Sequence, residues 1–292
     1  HTHSGKAGLI GRLAAKRAGV PLIIHSIHGP SFGPFQGRIA NALFSEAERF
    51  AGSRTDHFIT VANAMRDQYL AAGIGSREDY TQIFSGFPLE PYLATENASS
   101  IRMKLGLLND DFVVGKIARL FELKGHEDLF AVAPRLAKRV PNIRFLLVGD
   151  SVWRESFERL AKRIGCEENF VFTGLVPPTD IPSLVGVMDC LVHLSRREGL
   201  PRALPQAMTA GKPVVAFDCD GAGEVCLDGE TGALIPPGDL AKLEDSLVRL
   251  AKDEALRQSL GQSGQAFVKE KFTVERLVED QYQLYQRLLA KR

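Results

Sequence analysis

The sequence predicts an α/β protein built from two doubly wound, parallel-sheet units in tandem. Three observations carry that expectation. The chain has 292 residues, 45% of them hydrophobic, enough for two cores at about 150 residues each. Short apolar runs of strand length alternate with helical stripes along the whole chain, as a parallel sheet with crossover helices requires. The residues with chemical potential fall just after the apolar runs, at the carboxyl ends of strands, where open sheets of this kind bind ligands.

Taken in order, residues 5–19 carry Ala7, Leu9, Ile10, Leu13, Ala14 and Ala18 as a helical stripe closed by Gly19. A strand is expected over 20–25, with Pro21 near its start, where a missing N–H is tolerated. Its loop holds Ser26-Ile27-His28-Gly29-Pro30. Helix 35–50, strand 56–61, helix 62–72 and a short strand 81–84 complete a first domain over 1–100, which ends in a Pro-, Ser- and Asn-bearing linker at 88–100. The second domain, 101–272, opens with a short helix at 101–107. It continues with strands 112–118, 143–149, 169–173, 189–194, 213–217 and 231–235, separated by helices at 125–139, 153–164, 179–187, about 201–210 and 224–228. Helices 238–252, 253–269 and 273–290 close the chain, and residues 273–292 form a separate terminal segment. The spacing alone does not give the order of the strands.

The segment from Ser195 to Ala216 is the most informative. Pro205 has no N–H to give and fits only the first turn of a helix, so that helix begins near Pro201 or Arg202. Backbone N–H groups around Leu200–Leu204 are then left to attract an anion, an effect worth about 0.3–1 kcal/mol. Glu198 stands before them as an acceptor for hydroxyl groups, and Gln206 lies one turn in. An acceptor, an open helix start and a second polar side chain suit a phosphate-linked sugar.

Composition narrows the function. A net charge of +1 argues against electrostatic nucleic-acid binding, and the basic residues lack interleaved aromatics. The cysteines Cys166, Cys190, Cys219 and Cys226 show no CxxC spacing, which reads as reduced thiols of a cytoplasmic protein. No apolar run approaches the roughly 18 residues of a membrane span, and no signal peptide is visible. The chain opens on His-Thr-His-Ser without Met, which reads as a fragment.

Candidate binding residues follow the other strands. Arg119 and Lys124, with Gly125 opening a helix, could clamp a diphosphate through charge-assisted hydrogen bonds; on spacing alone, two solvated surface charges are the plainer reading. Gly149-Asp150-Ser151 is either a plain turn or a close backbone approach to a ligand. Thr173-Gly174-Leu175 offers apolar surface and backbone groups to a flat base. Asp218-Cys219-Asp220 matches a DxD metal pattern, but Arg119, Lys124 and the helix start already supply positive charge, so no metal is expected. Glu224 is placed at the next helix start, where capping is the simple account. A lone His28 is more often structural than catalytic. His1 and His3 could pair with His25 or His28 around a metal, yet no carboxylate or thiol stands usefully beside them.

Together these residues resemble the retaining GT-B glycosyltransferases of the group 1, glycogen-synthase-like type (family four), over essentially the whole chain. The matching motifs are His1-Thr2-His3-Ser4-Gly5-Lys6-Ala7-Gly8, Ser26-Ile27-His28-Gly29, Ile83-Phe84-Ser85-Gly86-Phe87, Gly115-Lys116-Ile117-Ala118-Arg119-Leu120 with Lys124-Gly125, Leu147-Val148-Gly149-Asp150 and Asp228–Asp239. The stretch from Glu198 resembles that family's E-x7-E region. The resemblance implies two Rossmann-like domains facing a cleft. It also implies a nucleotide-sugar donor, UDP- or GDP-linked, held mostly by the second.

By the same resemblance, Glu198 bonds the donor sugar's hydroxyls, assisted by N–H groups at Gly199 and Leu200. Arg119 and Lys124 hold the diphosphate as it leaves. His28 faces the reacting centre, and Glu224 matches an often acidic position. Gly149, Asp150, Thr173, Gly174 and Leu175 complete the donor site, and the last helix crosses back to the first domain. The implied reaction retains anomeric configuration, needs no metal or cofactor and delivers the sugar to a glycan or lipid-linked acceptor. The implied location is the cytoplasm, including peripheral association with the inner face of a membrane. Two departures stand out. Gln206 replaces the second Glu, the ribose-binding position, at a modest cost of about 1 kcal/mol. Family members also begin with several strands and a Gly-rich loop before the His1-Thr2-His3 segment, so the resemblance implies an N-terminally truncated chain with an incomplete first domain. The competing readings are a sugar-nucleotide epimerase of the same fold and an inactive nucleotide-binding fragment.

Overall fold

The computed structural model describes residues His1–Lys291. It divides into two compact units. The first takes in His1–Phe87, Glu198–Leu200 and the chain from Lys271 onward; the second takes in Pro88–Arg197 and Pro201–Glu270. The division thus falls at Phe87/Pro88, not at 100/101. The linker expected over 88–100 contains helix α4 (Glu90–Leu93) and the start of α5 (Ser99–Lys104).

The first unit holds a parallel sheet of β1 (Thr2–His3), β2 (Ile24–Ile27), β3 (His57–Thr60) and β4 (Tyr80–Gln82), paired in chain order. Helices α1 (Gly5–Arg17), α2 (Arg38–Gly52) and α3 (Asn63–Ala71) connect them. Strands added in one direction by right-handed crossovers put all three helices on one face. Gly8 of α1 lies so close to His25 that a Cβ would come 2.4 Å from its ring, and Gly52 of α2 packs on Ile74 and Phe58. The opposite face presents Ile24, Ile59 and Ile83, which pack with Leu284 and its neighbours Leu277, Tyr285 and Leu288 on α12 (Val274–Ala290). One end of the chain therefore roofs the sheet made by the other.

The strand expected over 20–25 lies instead at Ile24–Ile27. Pairing sets its ends: Ile24 stands opposite His57 and Ile27 opposite Thr60, while Thr2 and His3 pair with His25 and Ser26 on the other edge. Polar Ser26 is consequently buried, at 3% exposure. Hydropathy alone would place it in a loop.

The second unit is a six-stranded parallel sheet in the order β10-β9-β8-β5-β6-β7. Its strands are β5 (Phe112–Ile117), β6 (Ile143–Val148), β7 (Phe170–Gly174), β8 (Cys190–His193), β9 (Val214–Phe217) and β10 (Gly232–Ile235). Helices α6 (His126–Arg139), α7 (Arg154–Arg163), α8 (Ile181–Gly186), α9 (Ala203–Thr209), α10 (Leu240–Lys252) and α11 (Glu254–Lys271) connect and follow them. Numbered from β5, this is the 3-2-1-4-5-6 order of doubly wound sheets. The core is continuous across it, from Phe145 and Phe170 through Val192 to Phe217 and Leu247. No helix among the described residues is long and apolar enough to cross a membrane.

The helix expected over 224–228 is absent. A 3-10 turn, Asp220–Glu224, occupies the place before it, so Glu224 ends a turn and does not open a helix. Gly221 and Gly223 weaken helical structure. The next residues turn back at once: Leu227 N–H donates to Thr231 Oγ1 at 2.9 Å, and Gly229 N–H donates to the Gly232 carbonyl at 2.9 Å.

Candidate active site

The second unit's strand order reverses between β5 and β8, and the loops after those two strands meet there. Arg196 N–H donates to the Leu123 carbonyl at 2.8 Å, joining the loop after β8 to the loop after β5. Gly125 caps α6 with φ +64°, and a Cβ on it would lie 2.0 Å from the Leu194 carbonyl oxygen. Left-handed backbone and lack of space both require glycine here. The loop after β6 joins the same group. Gly149 has φ +137° and would place a Cβ 2.2 Å from the Ala118 oxygen. Ser151 Oγ donates to the Leu120 carbonyl.

Arg119 and Lys124 lie on this shared turn. Arg119 is exposed and Lys124 half-buried. Beneath them is a buried polar layer that the sequence does not announce. Lys116, on β5, is 1% exposed, His126, the first residue of α6, is 0% exposed, and His193, on β8, is 6% exposed. His126 Nε2 donates to the Arg119 carbonyl at 3.0 Å. Burial, then Lys116, hold the His126 pKa down at about 3, although the Arg119 hydrogen bond acts the other way. Burial, Lys116 and Lys124 likewise hold His193 well below an ordinary histidine. Both rings are therefore neutral, each beside the Lys116 and Lys124 charges. In the sequence, Lys116 looks like a solvent-facing strand residue and His126 like a helix-start polar residue; only the strand order reveals that they share one spot.

Asp150 follows β6 and Thr173 and Gly174 end β7, at the sheet's carboxyl edge. Asp150 accepts from the Ser151 N–H at 2.8 Å, and Gly149 N–H donates to the Gly174 carbonyl at 3.2 Å. Thr173 Oγ1 donates to the Gly174 carbonyl at 2.9 Å, and Leu175 is 85% exposed. Gln206 is half-buried on α9 and hydrogen-bonds the Tyr92 side chain. Its amide is thus shared with Tyr92, a residue with no motif to flag it. α9 has only 7 residues, beginning at Ala203; its first-turn N–H groups remain donors, but so short a helix has little macrodipole.

Asp218, Cys219 and Asp220 follow β9, with Asp220 in left-handed backbone at φ +50° and its Oδ2 3.5 Å from Cys219 Sγ. Among the described residues, no group of three or more His, Cys, Asp and Glu side chains is placed to hold a metal ion. All four cysteines are free thiols.

Glu198–Leu200 belong to the first unit. Gly199 is buried, and a Cβ there would sit 1.9 Å from the His28 carbonyl oxygen and 2.9 Å from Gly29 Cα. The contact brings half-buried Glu198 beside the loop that carries exposed His28. Sequence spacing separates these residues by most of the chain. His28 itself is hydrogen-bonded to His3 at 2.9 Å, and partial desolvation followed by His3 lowers its pKa.

A doubly wound sheet with a cationic, glycine-dependent turn at its switch point is a framework for phosphate-linked ligands. Comparison with known proteins defines the class. Residues 97–267 match the model described as glycosyl transferases group 1, and residues 1–83 match a glycosyl transferase 4-like domain. The chain belongs to the group 1 glycosyltransferase family and has its GT-B fold. It is 26% identical to a UDP-Gal:α-D-GlcNAc-diphosphoundecaprenol α-1,3-galactosyltransferase of Escherichia coli, over 88% of this chain and 67% of that protein. It is 28% identical to a GDP-mannose-dependent α-(1-6)-phosphatidylinositol monomannoside mannosyltransferase of Mycolicibacterium smegmatis, over 88% of this chain and 67% of that one. The crystal structure of Anabaena Alr3699/HepE in complex with UDP-glucose superposes with a TM-score of 0.83 at 27% identity, covering 98% of this chain and 77% of HepE.

Proposed function

We propose that this glycosyltransferase moves a hexose from a UDP- or GDP-linked donor to a glycan or lipid-linked acceptor, with retention of anomeric configuration and without a metal ion. The observation that carries the reading is the Arg119–Lys124 turn at the β5/β8 switch point, backed by buried Lys116. The nucleotides named for the E. coli, M. smegmatis and Anabaena relatives support a nucleoside diphosphate as the anion.

In this reading Arg119 and Lys124 neutralise the diphosphate, and Gly149, Asp150 and the Thr173–Leu175 edge receive the nucleoside, with Gln206 on its ribose. Glu198 accepts from the sugar's hydroxyls, with Gly199 and Leu200 N–H groups assisting. Glu224, at the end of its 3-10 turn, is a further polar group toward the donor. The bond from the anomeric carbon to the phosphate oxygen breaks and its electron pair stays with the phosphate. The acceptor hydroxyl attacks from the same face, its proton passing to the departing phosphate oxygen. The positive turn stabilises the charge that develops on the leaving group, which is electrostatic catalysis. His28 borders the reacting centre, and peripheral contact with a membrane accompanies a lipid-linked acceptor.

Calorimetric titration of UDP and GDP tests the turn. Each charge-assisted contact is worth about 1.5–3 kcal/mol, so Arg119→Ala and Lys124→Ala should each weaken binding roughly 10- to 100-fold. Unchanged affinity in both variants would sink the assignment. Proton NMR of the first product formed from UDP-glucose reads the anomeric configuration; an inverted product refutes retention.

A further inference from the structure

Two histidines of the first unit meet at the ends of neighbouring strands. His3 ends β1 and His28 follows β2. His3 Nδ1 and His28 Nε2 are 2.9 Å apart, and the rings stack with centroids 5.2 Å apart and 20° between planes. His1 stacks on His3 in turn, at 4.4 Å. His1 is itself pinned, with Nε2 2.8 Å from Ser26 Oγ and Nδ1 2.5 Å from the Tyr285 hydroxyl. The stack is therefore anchored to β2 and to α12, and His3 has little freedom to turn away from His28.

A hydrogen bond between two imidazole nitrogens carries one proton, so one ring donates and the other accepts. Neutral imidazole side chains favour the Nε2–H tautomer in water. With both rings in that form, His28 Nε2–H donates to His3 Nδ1 and neither ring leaves its favoured state. The Nδ1 lone pair of His28 is then left as an acceptor. The reverse arrangement needs His3 as Nδ1–H and turns His28 Nδ1 into a donor. Partial desolvation and His3 keep His28 below the usual histidine range, so near neutral pH its ring is distinguished by its tautomer.

We propose that His3 is the positioning residue of His28: the bond between them fixes His28 as the Nε2–H tautomer and presents its Nδ1 as an acceptor toward the transferred sugar. The proposal rests on the reading that His28 borders the reacting centre.

Nitrogen-15 NMR of histidine-labelled protein tests it without any substrate. His28 should show a single Nε2–H tautomer near neutral pH in the parent. His3→Phe keeps a stacking ring but removes the acceptor, and should give mixed-tautomer shifts at His28. His3→Asn places Oδ1 near the lost Nδ1 and should restore the parent pattern. In turnover of UDP-glucose, His3→Phe should lower kcat roughly tenfold with little change in donor KM, on the order of one hydrogen bond lost from the transition state, and His3→Asn should recover it. An Nδ1–H tautomer in the parent, or His28 shifts that do not respond to His3→Phe, would overturn the proposal. Full turnover by His28→Ala would instead remove the role assigned to His28, whatever the NMR of the pair shows.

Discussion

Gly125 shows how one residue can fix a site. Its backbone is left-handed and its α-hydrogen faces the Leu194 carbonyl with no room for a methyl group. Gly125→Ala should destabilise the second unit by about 1–3 kcal/mol, read as a lower urea midpoint, and should weaken nucleotide binding by displacing Lys124. A midpoint unchanged from the parent contradicts this. Spacing alone reads Arg119 and Lys124 as solvated surface charges; the resemblance of Gly115–Leu120 and Lys124-Gly125 to the family's motifs is what singles this turn out in the sequence. The buried Lys116, His126 and His193 were not legible. A lysine in an apolar strand signals the solvent side unless the pairing order is known, and that order is a long-range property.

Buried neutral histidines also give the protein a defined acid sensitivity. His25 and His126 are both held at about 3, chiefly by burial, against an ordinary 6.5. Their folded pKa is depressed, so at pH values between 6.5 and 3 the unfolded chain binds protons that the folded one refuses. Their contribution is complete above pH 6.5 and is lost on acidification through that window, at up to about 1.4 kcal/mol per pH unit for each histidine. Urea unfolding should show stability falling from pH 7.5 to pH 5, and His126→Gln should lose less stability over that interval than the parent. An equal loss would show that His126 does not titrate in this way.

At the scale of elements, the second unit was the more legible. Its strands are buried on both faces and read as continuous apolar runs such as Phe145-Leu146-Leu147-Val148, a pattern that parallel sheets impose. Structure departs from hydropathy where pairing or turns set the ends of elements. β2 takes in buried Ser26, and the 3-10 turn at Asp220–Glu224 replaces a helix because glycines and the return to β10 leave it no length. α12 is amphipathic, and the sequence places it without trouble, but only the structure shows what it covers. Leu284 is 2% exposed against Ile24, Ile59 and Ile83. Leu284→Ala should cost about 2–4 kcal/mol through lost burial and a residual cavity, measured by denaturant unfolding of the first unit. A cost below 1 kcal/mol would mean that α12 is not part of that core.

For the whole molecule, local pattern gave two α/β units but not the path of the chain through them. Strand order in the second unit decides which loops face one another, and no window of sequence encodes it. Nor does any window show that Glu198–Leu200 packs with His28 and Gly29, since more than half of the chain separates them. The chain changes unit at Phe87/Pro88, Arg197/Glu198, Leu200/Pro201 and Glu270/Lys271.

That arrangement has a consequence for synthesis. Strands β1–β4 leave the ribosome before the second unit, but the helix that roofs Ile24, Ile59 and Ile83 is made after it. At the usual 5–20 residues per second, the interval from Gln82 to Val274 lasts roughly 10–40 seconds. Through that time the nascent sheet keeps one apolar face uncovered, which is when a chaperone that holds apolar surface would have most to do.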